Sequence, residues 1–286
     1  MKKSKICIGT SNFAKNYGIN NNEFKKNDLK NLFRFLRTKK ILFLDCADGY
    51  NNFKKFAYEI KKFKIIFKIN FNKFDNLKDI KKLIIKNLLV SRTKKFEAVL
   101  IHNIQSTPQN KLISYISFLK EIKKLKLIRK IGLSIYNLNE LYKIEKTKLD
   151  IDIIQFPLNI FDKSFINKKL VYKFKKKGTK FYARSIFLQG ILLEDTNSLP
   201  KYFLKWKKIF KKWDYWHTKN NVDKLTSCIN FIDSVRFIDK IIIGINDINQ
   251  LKEILRVKKS KYPKKILSKN KKLIKPYLWN FKKNEK

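Results

Sequence analysis

The chain has 286 residues, 44% of them apolar, with a formal net charge of +45. That apolar share excludes a disordered chain, and no apolar run approaches the roughly 20 residues that cross a bilayer. Only seven of the 68 basic residues are Arg, the residue favoured for bidentate phosphate and base recognition. The lysines are spread along the whole chain, and Lys, Asn, Ile and Phe are over-used together, as AT-rich codons would dictate. A solvated lysine coat is therefore expected, with no specific nucleic-acid partner.

Short apolar runs without polar alternation, expected of strands buried on both faces, occur eight times. They are Ile6–Ile8, Ile41–Leu44, Ile65–Phe67, Ala98–Ile101, Ile131–Ser134, Ile151–Ile154, Phe181–Ala183 and Ile241–Ile243. Lys-rich stretches with apolar residues at helical spacing lie between them. Leu29, Leu32, Phe33 and Leu36 form one such face, and Leu112, Tyr115, Ile116, Leu119 and Ile122 another. Pro108 precedes the helix after the fourth strand, and Gly178 closes the Tyr172–Lys177 stretch. Eight strands alternating with helices predict a closed parallel (β/α)₈ TIM barrel, and the length suits one domain of roughly 250 residues. Its core should span about 5–257. Two additions are expected: a helical insert between the seventh and eighth strands, and a basic helical tail over 258–286. The insert carries Phe203, Trp206, Phe210 and Trp213 at helical spacing, a pattern of core packing. The apolar stretch after the basic start ends at Gly9-Thr10-Ser11-Asn12, too short for a secretory h-region. Cys7, Cys46 and Cys228 are odd in number and far apart, which suits reduced thiols in the cytoplasm.

None of the seven glycines falls in a Rossmann or P-loop pattern. With only His102 and His217, no rich metal site is expected. What stands out is the residue that follows each early strand. Ile41–Leu44 runs into Asp45, with Tyr50 five residues on; Ile65–Phe67 runs into Lys68; Ala98–Ile101 runs into His102. In a parallel barrel the carboxyl ends of the strands carry the chemistry. A lysine in a lysine-rich chain means little by itself, but acids and histidines are scarce, and three consecutive strands deliver an ionisable residue to one rim.

This pattern resembles the aldo/keto reductase superfamily. The tetrad positions of that family match Asp45 and Tyr50 in Asp45-Cys46-Ala47-Asp48-Gly49-Tyr50, Lys68 after Phe67, and His102 in Leu100-Ile101-His102-Asn103. Ile8-Gly9-Thr10, Lys130-Ile131-Gly132-Leu133-Ser134, Ile154-Gln155-Phe156-Pro157, Ala183–Gly190 and Ile243-Gly244-Ile245-Asn246 are similar to its first, fifth, sixth, seventh and eighth strands. The resemblance implies reduction of an aldehyde or ketone by NAD(P)H. Tyr50 would give the proton, and His102 would hydrogen-bond the carbonyl oxygen. A free phenol has a pKa near 10 and is a reluctant acid; a Lys68 ammonium held by Asp45 favours its phenolate. The resemblance also implies a cofactor, NADP(H) ahead of NAD(H), held by Gly9, Thr10, Ser134, Gln155, Arg184, Ser185, Gly244 and Asn246. Three departures are visible: Ile135 where an Asn is usual, Arg184 where many members stack a Tyr on the nicotinamide, and Asn246 where Arg is common. The helix Asp247–Leu255 is expected to offer its N-terminus to phosphate. Asn16-Tyr17-Gly18-Ile19 and Phe187-Leu188-Gln189-Gly190 resemble a bacterial branch associated with surface-sugar metabolism, which implies a polar aldehyde or ketose as substrate. A monomer or weak oligomer is expected, away from membranes. A nicotinamide-binding regulatory subunit on the same fold remains open, since channel-associated members also keep the tetrad.

Overall fold

A computed structural model of the chain describes residues 1–13, 24, 26–50 and 53–279. The Asn16-Tyr17-Gly18-Ile19 stretch and the last seven residues of the tail lie outside them. Eight parallel strands close into a barrel in which each strand pairs with its sequence neighbours and the first with the last. They are β1 (Ile6–Gly9), β2 (Phe43–Ala47), β3 (Lys64–Ile69), β4 (Phe96–His102), β5 (Ile128–Ser134), β6 (Ile153–Pro157), β7 (Lys180–Arg184) and β8 (Ile238–Gly244). The surrounding helices are α1 (Lys26–Thr38), α2 (Phe53–Phe56), α3 (Leu77–Val90), α4 (Gln109–Lys124), α5 (Leu138–Lys146), α6 (Lys169–Lys176), α7 (Lys207–Asn220), α8 (Lys224–Ser234), α9 (Ile248–Arg256) and α10 (Lys271–Ile274). The expected single-domain (β/α)₈ barrel is the observed one.

Two cores follow from the period-2 alternation of side chains along each strand. Cys7, Ile66, Ala98, Leu100, Ile153, Tyr182 and Ile242 fill the barrel. The intervening residues, such as Ile8, Leu44, Phe67, Val99 and Ile154, face outward and pack with the buried stripes of the helices. Leu29, Leu32, Phe33 and Leu36 of α1 and Leu112, Ile116, Leu119 and Ile122 of α4 are all buried, as their spacing requires. Gly178 ends α6 with φ of +89°, a conformation that costs a residue without Cβ little.

Strand bounds differ from the sequence reading at both ends: β4, β5 and β8 begin earlier, at Phe96, Ile128 and Ile238, and several strands run on past their apolar runs. β2 starts at Phe43 instead of Ile41 and runs to Ala47; β3 runs to Ile69 and β6 from Ile153 to Pro157. Apolar runs mark only where a strand is buried in apolar surroundings, whereas the backbone ladder continues through polar inward-facing residues. Asp45 and Lys68 therefore lie on their strands and not beyond them.

In the insert, Phe203, Phe210 and Trp213 are buried, and Trp213 donates to the Leu192 carbonyl at 3.1 Å. The tail crosses the carboxyl-end side of the barrel. Ser268 N–H donates to the Phe161 carbonyl at 2.9 Å, and Lys163 donates to the carbonyls of Lys264 (2.7 Å) and Ile266 (3.1 Å). Its helical part is short: α10 has four residues and is followed by a 3₁₀ turn at Pro276–Leu278.

Candidate active site

Side chains two apart on a strand share a face. The residues that follow the barrel-filling layer by two positions are Gly9, Asp45, Lys68, His102, Ser134, Gln155, Arg184 and Gly244. The barrel therefore brings one ring of predicted residues to its carboxyl-end mouth, one from each strand. Tyr50 joins them from a 3₁₀ turn, Asp48–Tyr50, directly after β2.

Within this ring runs a buried polar chain. The Lys68 ammonium forms an ion pair with Asp45 Oδ2 and donates to the Tyr50 hydroxyl at 3.0 Å. Gln155 Nε2 donates to Asp45 Oδ1 at 2.8 Å, and Ser134 Oγ lies 3.4 Å from Gln155 Oε1. Thr10 fixes the turn after β1 by donating its amide (3.0 Å) and hydroxyl (3.1 Å) to the Asp45 carbonyl. Lys68 is only 2% exposed. Burial works against its charge, but the adjacent Asp45 carboxylate and Tyr50 oxygen outweigh that and hold its pKa well above the usual lysine value. Lys68 is thus a permanent cation beside the phenol.

His102, the last residue of β4, behaves in the opposite way. Burial, and then the positive charges of Lys68, Arg184 and Lys73, lower its pKa to about 3. It is a neutral imidazole at physiological pH, with one N–H to donate. Its Nε2 is 3.4 Å from the Tyr136 hydroxyl. Arg184 donates to the Ile135 carbonyl at 3.0 Å, and its guanidinium lies 4.5 Å from the Tyr136 ring centre. The three cysteines are buried, and burial pushes the Cys46 thiol up to about 12, so none resembles a nucleophile.

Two cavities meet at Tyr50. The larger, about 750 Å³, is lined by Asp45, Tyr50 and Lys68 at one end and runs past Arg184 and Ser185 to Asn246 and Gln250. The smaller, about 380 Å³, is lined by Tyr50, His102, Lys73, Tyr136 and Tyr277. Of the expected cofactor residues, Gly9, Arg184, Ser185, Gly244 and Asn246 line the larger cavity. Thr10, Ser134 and Gln155 are fully buried behind it; Thr10 and Gln155 bond Asp45, and Ser134 lies against Gln155.

Several site residues escaped the sequence reading. Asn12 donates to Asn246 at 2.7 Å across the cavity wall, and a Cβ on Gly244 would meet Asn12 Oδ1 at 2.8 Å. The glycine at the end of β8 is what admits this bridge. Lys275 is buried, bonded to Asp162 (2.6 Å) and the Tyr136 carbonyl (3.1 Å), and so sets Tyr277 in the wall of the smaller cavity. Tyr277 packs edge-on against Tyr136, 4.8 Å between ring centres, a pairing across 141 positions that the sequence does not signal. At the start of α9, where the sequence reading expects a phosphate, the helix carries a side-chain cap. Asp247 accepts from Gln250 N–H at 2.9 Å, while Gln250 Oε1 accepts from Asn246 N–H at 2.9 Å.

The family model of the aldo/keto reductases matches residues 5–275. The chain belongs to the aldo/keto reductase family. As a member it is an oxidoreductase of the carbonyl–alcohol class. Solved structures agree on the fold. An aldo-keto reductase from Pseudomonas aeruginosa superposes with a TM-score of 0.66 at 13% identity, covering 88% of each chain. A thermostable aldo-keto reductase, solved in complex with the inhibitor epalrestat, gives 0.65 at 18% identity over 92% of each chain. Comparison with curated proteins finds no match. Among the described residues no helix of this reductase is long and apolar enough to cross a membrane.

Proposed function

We propose that this aldo/keto reductase uses NAD(P)H to reduce a polar aldehyde or ketone, with Tyr50 as the proton donor. The observation that carries the reading is the position of the Tyr50 hydroxyl, 3.0 Å from a buried lysine and on the wall common to both cavities. The larger cavity, about 750 Å³, has the volume for a dinucleotide. Arg184 on its wall also has a buried Nε–H with no acceptor among the described residues. A nicotinamide bound at the Tyr50 end would supply the hydride.

As hydride reaches carbon, negative charge gathers on the carbonyl oxygen, and donors placed there lower the barrier. Tyr50 gives its proton to that oxygen. The phenolate left behind is stabilised by the Lys68 ammonium, which Asp45 and Gln155 hold in position. His102, neutral by virtue of its burial, donates its N–H without adding a second cation. Gly9, Ser185, Gly244 and Asn246 would hold the dinucleotide along the cavity, while Thr10, Ser134 and Gln155 act from behind through Asp45.

The smaller cavity supports a hydroxylated substrate such as an open-chain sugar. Asp48, Asn70, Lys73, Asn103 and Gln105 contribute polar groups to its wall, with Tyr136 and Tyr277 as aromatic surfaces. Purified protein should oxidise reduced nicotinamide with polyhydroxylated aldehydes or ketoses in preference to apolar carbonyls of similar size. Turnover confined to apolar carbonyls would contradict the substrate class.

A further inference from the structure

Basic residues outnumber acidic ones 68 to 23 in the whole chain, yet the far end of the larger cavity reverses that balance. Away from the strand ends, the described wall formed by the β7 loop, the start of α8 and α9 carries the carboxylates of Glu194, Asp195, Asp223 and Glu253, against one lysine, Lys224. That lysine is fully engaged. Its ammonium donates to the Glu194 carbonyl at 2.7 Å and to Asp195 at 2.6 Å, and forms an ion pair with Asp214 at 2.7 Å. His217, also on this wall, has both ring nitrogens occupied, Nδ1 at 2.6 Å from the Trp213 carbonyl and Nε2 at 2.9 Å from Ser227 Oγ. The start of α9 is capped by Asp247. Glu194, Asp223 and Glu253 form no ion pair with a described residue.

We infer that this cavity selects NAD(H) over NADP(H), the reverse of what the family resemblance implies. The inference rests on the reading that a dinucleotide lies in the cavity with its nicotinamide at Tyr50, which puts the adenosine ribose at the far end. A 2′-phosphate is a dianion near neutral pH and needs cationic or amide donors. Here it meets carboxylates and finds no unengaged cation among the described residues. A 2′-hydroxyl is itself a donor, and a carboxylate accepts it, the arrangement that marks NAD in other dinucleotide folds. The net charge of +45 pulls the other way, toward the more anionic cofactor. That pull comes from a lysine coat distributed over the surface and is screened beyond about 8 Å at physiological salt, whereas the carboxylates stand in the wall itself.

Binding can be followed without turnover, by titrating the protein with NADH and NADPH separately at 0.15 M salt and recording reduced-nicotinamide fluorescence. NADH should bind at least about tenfold more tightly, as expected for a dianion set among carboxylates at a few ångströms. Glu253→Lys, an exposed position on α9, replaces one of these carboxylates with a cation and should tighten NADPH at least about fivefold while NADH tightens less or weakens. NADPH binding as tight as NADH or tighter in the wild type overturns the inference, as does a Glu253→Lys protein whose NADPH affinity does not rise. If neither nucleotide binds, the dinucleotide reading itself falls and takes the inference with it.

Discussion

Replacing Lys68 by Met tests the buried chain at its centre. The methionine fills much the same volume but leaves the Asp45 carboxylate, 3% exposed at its side chain, without its counter-ion. Gln155 still donates to Oδ1 at 2.8 Å, but an amide does not neutralise a charge. Breaking a buried pair from one side typically costs about 3–5 kcal/mol. That is a large part of the roughly 5–15 kcal/mol by which a domain is stable. For a chain of this size it corresponds to a fall in Tm of about 5–10 °C. Urea unfolding followed by circular dichroism measures it directly. Adding Asp45→Asn to Lys68→Met removes the stranded charge and keeps an oxygen for Gln155 to donate to. The double variant should recover at least half of the loss. A single variant within about 1 kcal/mol of the wild type, or a double variant no better than the single, would refute the buried ion pair.

His102 gives a pH signature. Its folded pKa of about 3 lies below its ordinary value of 6.5, so the unfolded chain binds the extra proton between those values and stability falls as pH drops through that window. His102→Asn should abolish this part of the acid sensitivity in unfolding curves measured at pH 7 and pH 4, and an unchanged pH dependence would contradict a buried neutral imidazole. The tail offers a third test. Lys275→Met strands the buried Asp162 carboxylate and frees the anchor of Tyr277, so KM for the carbonyl should rise several-fold while cofactor affinity stays within about twofold. An unchanged KM would separate Tyr277 from the substrate.

Much of this architecture is legible in the sequence because a parallel barrel writes itself as unalternating apolar runs. Three of the tetrad residues are legible for a related reason: Asp45, Lys68 and His102 each interrupt or close such a run, Tyr50 follows Asp45 by five residues, and Asp and His are rare in a chain dominated by lysine. The cavity walls are less legible. The loop after β7 takes left-handed conformations at Ser185, Leu188 and Gln189, with φ of 60°, 49° and 55°, residues that give no glycine or proline signal. Lys275 is one lysine among many until its Asp162 partner, 113 positions away, is seen. Gln155 was assigned to the cofactor from its place on the sixth strand. Only the closed barrel brings it across to Asp45, 110 positions earlier in the chain. The acidic end of the larger cavity is likewise assembled from the β7 loop, α8 and α9, and a net charge of +45 conceals it.

Tyr50→Phe tests the mechanism most directly. The change removes one oxygen and keeps the ring, so the barrel should fold and reduced nicotinamide should bind as in the wild type. What is lost is the proton donor to an oxygen that becomes charged chiefly in the transition state, so the loss should fall on kcat. General acid catalysis of this kind is worth on the order of 10²–10⁴-fold. Steady-state kinetics on an active hydroxylated carbonyl, with cofactor binding measured by fluorescence on the same preparation, should show kcat reduced within that range and cofactor affinity within about twofold of the wild type. Near-normal kcat in a Tyr50→Phe protein that still binds cofactor would contradict the assignment of Tyr50 as the acid.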